Sequence, residues 1–281
     1  VRSRQGILKL RIEDIDGPRV KPRGEQQAMQ DLLWLGLDHD GDPIRQSDRI
    51  QLYREAVDSL VQRGLAYPCV CTRKEVEAAA SAPQEGWLDA PPYPGTCRDR
   101  FESAAAAQQQ TGRDPAIRFR VDLEAVPFED VFCGPQAGRI LGDFVIEGRQ
   151  RSAAYQLAVV LDDAASGVSE VLRGDDLLPS TPRQLLLYDA LALAPPKFAH
   201  VPLVVGEDGL RLAKRHGDTS LRHVRERGVS PEEVVGYLAY LCRFRERGNR
   251  CTAADLLEGF DLDRLPAGPV IGTDHGFPLA G

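Results

Sequence analysis

No apolar run in the chain approaches the roughly 18 to 20 residues that cross a bilayer. The opening residues, VRSRQGILKLRIED, lack the apolar stretch and small-residue cleavage site of a secretory signal. No membrane segment is expected, and a cytoplasmic location follows. Cysteine is also scarce: six in 281 residues are too few for a disulfide scaffold. In a reducing compartment, close pairs among them bind metal or pack as small apolar groups. Excess positive charge is missing too, for the net charge is −7 and gives no sign of a generally basic, nucleic-acid-binding surface. The sum hides local runs, basic at residues 215–228 and 242–250 and acidic in LLEGFDLDRL. Taken alone these are solvated helix faces.

What is present is ordinary globular material. Hydrophobic residues make up 42% and charged residues 27%, and the length suits one or two domains with sizeable cores. ILKLRI at 7–12 reads as a strand buried on both faces. A Pro/Gly-rich loop follows, then EQQAMQDLLWLG predicts a helix ending at Gly36. DRIQLYREAVDSLVQRG predicts a second helix, capped by Ser47 or Asp48. It carries an apolar stripe of Ile50, Tyr53, Val57, Leu60 and Val61 and stops at Gly64.

Residues 78–115 are rich in Ala, Pro and Gln and read as an insertion. AIRFRV, VPFEDVF and ILGDFVIEG predict strands of a small mixed or antiparallel sheet. LAVVLDD at 157–163 and SEVLRG at 169–174 read as buried strands again, and TPRQLLLYDALALA as a helix with Pro182 in its first turn. The last 60 or so residues read as mostly helical, with PEEVVGYLAYLCRF starting at a proline. The fold class is thus α/β, a core interrupted and then resumed, with no internal repeat.

Three features bear on chemistry. Cys69 and Cys71 form a Cys-x-Cys pair, and Cys97 follows a Pro-Gly turn 26 residues beyond Cys71. The chain can therefore fold back and offer zinc three thiolates, the alternative being three buried thiols. Spacing alone leaves the fourth ligand open among Tyr93, Asp99, Cys133 and water. RIEDID places Glu13, Asp14 and Asp16 directly after a strand, where open α/β sheets collect ligands, although loop carboxylates also cap helices. Arg173 ends the strand SEVLR and would face the same crevice. An acid and an arginine together suit an amino acid, with its ammonium and carboxylate. GEDGLRLAKRHGD at 206–218 adds Arg211, Lys214, Arg215 and His216 in a glycine-containing loop, either a solvated turn or a phosphate-closing one.

Seven stretches, LRIEDIDGPR, QSDRIQLY, AYPCVCT, YPGTC, AAYQLAVVLDD, VLRGDDLLPSTPRQ and RLAKRHG, occur in an order that resembles the glutamyl-tRNA synthetase group, over about residues 7–245. The chain ends at residue 281, and within that group its length is similar to the paralogues that lack anticodon-binding domains and attach glutamate to queuosine in the anticodon of tRNA(Asp).

The resemblance implies a class I synthetase Rossmann-like catalytic core with an inserted, zinc-containing, acceptor-binding lobe and a helical C-terminal part. It divides the chain into an N-terminally incomplete first part of the core (1–66), the lobe (67–150), the second part of the core (151–210) and a KMSKS-type loop with the helical region (211–281). It also implies that Glu13, Tyr155 and Arg173 bind glutamate and that Lys214 is the catalytic, ATP-binding lysine. One structural zinc would sit on Cys69, Cys71, Tyr93 and Cys97. Magnesium would accompany ATP, and the expected partners are glutamate, ATP and queuosine-bearing tRNA(Asp), bound by a monomer.

The reaction implied is adenylation of glutamate followed by transfer to a hydroxyl of the queuosine ring, resting on positioning and charge stabilisation. Two departures stand out. The first strand, glycine-rich turn and HIGH-type motif of the group are not in this sequence, and a chain truly beginning at Val1 is expected to form adenylate weakly or not at all. Ala213 stands where the loop commonly has Ser, with a mild effect expected.

Overall fold

A computed structural model describes residues 1–15, 20, 23–79, 92–210 and 221–272. In chain order the elements are β1 (Arg11–Ile12), α1 (Gly24–Trp34), β2 (Ile44–Arg45), α2 (Ile50–Gln62), β3 (Ala66–Cys69), α3 (Arg73–Ala79) and α4 (Ala104–Thr111). Next come β4 (Ala116–Phe119), β5 (Phe128–Asp130), β6 (Gly134–Gln136), β7 (Phe144–Glu147), α5 (Tyr155–Ala165), β8 (Glu170–Gly174), α6 (Thr181–Ala190) and β9 (Lys197–Val201). The remainder are β10 (Val204–Val205), α7 (Leu221–Glu226), α8 (Pro231–Leu241) and β11 (Val270–Ile271). Two compact units emerge, one of Val1–Ile12, Pro18–Ile44 and Val201–Gly281, the other of Glu13–Gly17 and Arg45–His200. No helix among the described residues is long and apolar enough to cross a membrane.

The second unit holds a four-stranded mixed sheet, in the order β6-β5-β9-β8, and a three-stranded antiparallel sheet, β3-β4-β7. Alternation along β3 and β4 gives the smaller sheet two working faces. Ala66, Ile117 and Phe119 turn into the main core with Tyr53, Leu60, Ile146, Leu157 and Leu187. Tyr67 and Cys69 turn the other way, into a second cluster with Val70, Val76, Tyr93, Cys97 and Phe101. All four residues of β3 are consequently buried. Pro68, which has no N–H to give a ladder, is tolerated because β3 is the sheet's edge strand.

The predicted strands at 116–121, 126–132, 140–148 and 169–174 are present as β4, β5, β7 and β8, and the helices beginning at Thr181 and Pro231 as α6 and α8. LAVVLDD is helix, not strand. Leu157 through Asp163 are all buried within α5, and a helix covered on every side has the same continuous apolar run as a buried strand. Its polar end is held from α2 and the turn before it: Tyr53 Oη–H donates to Asp162 at 2.9 Å, as does Gln46 Nε2. α2 begins after a 3-10 turn at Gln46–Arg49, without a side-chain cap. Ser47 does not cap it; its N–H and hydroxyl both donate to the Asp14 carboxylate.

In the first unit, the run at 7–12 is not buried on both faces. Ile7 is 71% exposed and Leu8 and Leu10 are half-buried. The carbonyls of Leu8 and Leu10 accept the N–H groups of Asp40 and Ile44, the pairing of a one-sided strand. The C-terminal stretch is less helical than expected. Among the described residues beyond Leu241 there are 3-10 turns and β11, which pairs in parallel with β10. Gly248, Gly259, Pro266, Gly268 and Pro269 break the chain there.

α8 starts on a capping box in which Ser230 Oγ accepts the Glu233 N–H and the Glu233 carboxylate accepts the Ser230 N–H. It packs through Val235 and Ala239 against Cys251, Phe244 and Leu256. Mid-helix Gly236 is required by contact, since a Cβ there would lie 1.9 Å from the Asn249 carbonyl oxygen. Helix propensity alone would reward Gly236→Ala by about 1 kcal/mol, yet the clash should reverse the sign. We expect a net loss of about 1–3 kcal/mol in urea denaturation, and a stabilised variant would refute the close approach.

Candidate functional site

Arg173, the fourth residue of β8, is surrounded by polar groups drawn from three neighbouring elements. Its Nε–H donates to His200 Nε2 on β9 at 2.9 Å and its Nη1 to Gln184 Oε1 on α6 at 3.0 Å. Its Nη2 donates to Thr181 Oγ1 at 2.8 Å and to the Leu177 carbonyl at 3.4 Å. The guanidinium carbon lies 5.1 Å from the centre of the Phe198 ring. Burial pulls the Arg173 pKa below its ordinary value, while the group remains a cation.

The shell continues outward. Gln184 Nε2 donates to Gln156, which donates to Ser180. His200 Nδ1 lies 2.6 Å from Asp130 Oδ2, and Asp130 Oδ1 accepts the backbone N–H groups of Phe132, Cys133 and His200. Both residues of this pair are fully enclosed, at 0% and 1% exposure. Burial lowers the pKa of His200. Burial would raise that of Asp130, but the N–H of Cys133 and the His200 ring hold it below its usual range.

Of the residues expected to hold glutamate, Tyr155 and Arg173 come together. Tyr155 opens α5, is 40% exposed, and stands near enough to Arg173 for its hydroxyl to oppose the effect of burial on the guanidinium. Glu13 is exposed, flanked by Asp14, which is fixed on Ser47, and by Ile15, which packs on the main core. Lys214, with Arg211, Ala213, Arg215 and His216, lies outside the described residues, as does Asp16.

The four residues expected at a zinc site also converge. Cys69, Cys71 and Cys97 place their sulfurs within 4.8 Å of one another, and Cys71 and Cys97 are 3.5 Å apart. Tyr93 Oη is 3.3 Å from Cys69 Sγ and 3.7 Å from Cys71 Sγ. A tetrahedron with zinc–sulfur bonds of about 2.3 Å has edges of about 3.8 Å, so the donor set can hold a metal ion of that kind. The Cys97 N–H donates to Tyr93 Oη at 2.8 Å, which favours negative charge on that oxygen. Arg118 lies with its guanidinium carbon 3.8 Å from the centre of the Tyr93 ring, and its Nε–H donates to Cys69 Sγ at 3.3 Å. Burial pushes the Cys71 thiol up to about 12, a cost that a coordinated cation reverses by displacing the proton. Asp99 and Cys133, the other open choices for a fourth ligand, are engaged elsewhere, with Arg120 and the His200 carbonyl.

Two site residues carried no local sequence mark. Asp130 and His200 are 70 positions apart and meet only because β5 and β9 pair in parallel through Asp130 and Phe198. The one available sign was a histidine within the apolar run FAHVPLVV, since a polar residue in a buried strand needs a partner.

A mixed sheet carrying a half-buried arginine held by polar groups, with a three-cysteine site on an antiparallel sheet of the same unit, fits a class I synthetase catalytic domain. Residues 1–270 match the family model for tRNA synthetases class I (E and Q), catalytic domain. The chain belongs to this family, alongside the glutamyl-Q tRNA(Asp) synthetases. It is 46% identical to the glutamyl-Q tRNA(Asp) synthetase of Symbiobacterium thermophilum, the match covering 94% of this chain and 85% of that protein. That of Rhodopirellula baltica is also 46% identical, with 98% and 89% covered. Among solved structures, the glutamate–tRNA synthetase of Elizabethkingia anophelis superposes with a TM-score of 0.78 at 25% identity, covering 96% of this chain and 62% of that one.

The lowered proton affinity of His200 has a consequence for stability. The folded state binds the ring proton less readily than the unfolded chain, whose value is near 6.5. This contribution is therefore intact above about pH 6.5 and is lost as pH falls toward the folded value. Between about pH 7.5 and about pH 5.5, the urea midpoint of the wild type should fall by more than that of His200→Gln. Parallel profiles would contradict the assignment.

Proposed function

We propose that the protein activates glutamate with ATP and transfers it to queuosine in the anticodon of tRNA(Asp). The observation that carries this reading is the 46% identity to glutamyl-Q tRNA(Asp) synthetases over 85% to 89% of their length, joined to a half-buried Arg173 beside an exposed Tyr155, suited to an amino-acid carboxylate. In this reading Arg173 and Tyr155 grip the anionic and polar parts of glutamate, and Glu13 takes its ammonium. Lys214 follows charge as it builds on the phosphates. Magnesium accompanies ATP and offsets its negative charge. Cys69, Cys71, Tyr93 and Cys97 hold one zinc, which supplies structural cross-linking and no step of the reaction.

The same reading takes residues 67–150 as an acceptor-binding lobe inserted between core parts at 1–66 and 151–210, with the lysine loop and a C-terminal region at 211–281. The protein acts in it as a cytoplasmic monomer.

Incubation with labelled glutamate, ATP and either queuosine-bearing tRNA(Asp) or tRNA(Glu) tests it. Label on tRNA(Asp) alone is expected. Label on tRNA(Glu) would instead make the protein a short glutamate–tRNA ligase, and label on neither would make it a non-catalytic RNA-binding relative. Arg173→Lys, which loses the planar fork, should raise the glutamate KM roughly ten- to hundredfold with little change in the ATP KM. The zinc assignment predicts one metal equivalent per chain by elemental analysis of the wild type. Cys97→Ala should lose most of that metal and lower the melting temperature, whereas Cys242→Ala should keep the metal. Full metal content in Cys97→Ala would remove the site.

A further inference from the structure

The contacts of Arg173 determine the proton positions behind it. Its Nε–H is an obligatory donor, so His200 Nε2, 2.9 Å away, must present a lone pair. The Thr181 hydroxyl, 3.3 Å from the same nitrogen, can donate to it while its oxygen accepts from Arg173 Nη2. The ring must then be neutral and carry its one proton on Nδ1, which meets Asp130 Oδ2. The ring is further fixed by its near-parallel packing at 6.2 Å from Phe198. Asp130 is in turn held by three backbone N–H groups on its other oxygen.

A carboxylate in place of this imidazole would pair directly with the guanidinium and neutralise it. A neutral ring holds the same donor yet leaves the positive charge facing whatever enters from the Tyr155 side. Asp130 is set one residue back, where it fixes the tautomer without touching Arg173.

We infer that His200, locked by Asp130 as the neutral Nδ1–H tautomer, is a positioning residue that aims the Arg173 guanidinium at the substrate carboxylate, with no carboxylate among its hydrogen-bond acceptors in the described residues. The inference deepens the glutamate reading above and rests on it. Its chemical content is specific: an isosteric amide at position 130 defeats it. In Asp130→Asn the amide oxygen keeps the three backbone N–H groups, so the NH2 faces His200 Nδ1. That nitrogen must then accept, and the proton moves to Nε2, where it opposes the Arg173 Nε–H. Two donors face each other and the guanidinium is displaced.

The test combines nitrogen-15 NMR of the histidine rings in the free protein with glutamate-dependent adenylation kinetics. His200→Gln identifies the resonance by its loss. The wild type should show His200 neutral with the proton on Nδ1, and Asp130→Asn should move it to Nε2. The variant should raise the glutamate KM on the order of tenfold, leaving kcat and the ATP KM within about twofold. A glutamine amide oxygen can accept from Arg173 without help from residue 130. The double variant Asp130→Asn/His200→Gln should therefore lose the sensitivity to residue 130 and show the same glutamate KM as His200→Gln alone, a rescue that a merely structural role for Asp130 would not give.

A charged or Nε2–H ring in the wild type overturns the proposal, as does a moved proton in Asp130→Asn with an unchanged KM. If Asp130→Asn does not fold, the wild-type ring decides: a neutral His200 with its proton on Nδ1 supports the inference, and a charged or Nε2–H ring overturns it. Direct calorimetric titration of glutamate separates the two levels. A wrong tautomer in a protein that binds glutamate sinks this inference alone. A correct tautomer in one that binds none sinks the substrate reading and this inference with it.

Discussion

Arg173 is a cation removed from most of its water, and that cost shapes the elements around it. Bringing a guanidinium into a protein interior is tolerable only if its donors are met, and here strand β9, helix α6 and the turn before it each supply an acceptor. The acceptors are themselves held: Gln184 by Gln156, His200 by Asp130, and Asp130 by backbone amides. Among the described residues, no carboxylate accepts a hydrogen bond directly from Arg173. The arrangement fixes direction while leaving charge, which is what recognition of a small anion requires.

The cysteine site depends on the same economy of construction at the level of a sheet. β3 and β4 have one set of side chains in the main core and the alternate set around Cys69, Tyr93 and Cys97. Arg118 belongs to that second set and reaches Cys69 because its neighbours Ile117 and Phe119 are buried on the other side. A metal bound there would tie the segment carrying Tyr93 and Cys97 to a sheet already fixed by apolar packing, so its effect would be on stability and shape. Chemistry at Arg173 would feel it only indirectly.

Much of this was legible in the sequence, for identifiable reasons. Alternation gave β4, β5 and β7, Pro-at-start gave α6 and α8, and the Cys-x-Cys pair with a later Pro-Gly-Thr-Cys turn gave three of the four converging donors. Spacing left Tyr93 as one of several choices for the fourth donor, and Tyr155 entered only through the family resemblance, because a tyrosine has no spacing rule of its own. The misreadings share a cause. LAVVLDD is apolar on all sides because α5 is covered on all sides, and periodicity disappears when every face is buried. Ile7 was assigned to a buried strand from its own apolarity, yet burial depends on what lies opposite. Asp130 and His200 escaped notice because strand pairing, not sequence, makes them neighbours.

The central claim is that the Arg173 guanidinium is the anchor for a substrate carboxylate. Its side-chain N–H resonances, assigned through Arg173→Lys, report on this directly during titration of the protein with glutamate and then with glutamine. The account predicts a saturable shift of the Arg173 signals with glutamate, a much weaker response to glutamine, and no response at Arg151, which is already paired with Asp58 and Glu147. Glutamate that binds while the Arg173 signals stay unmoved would contradict it.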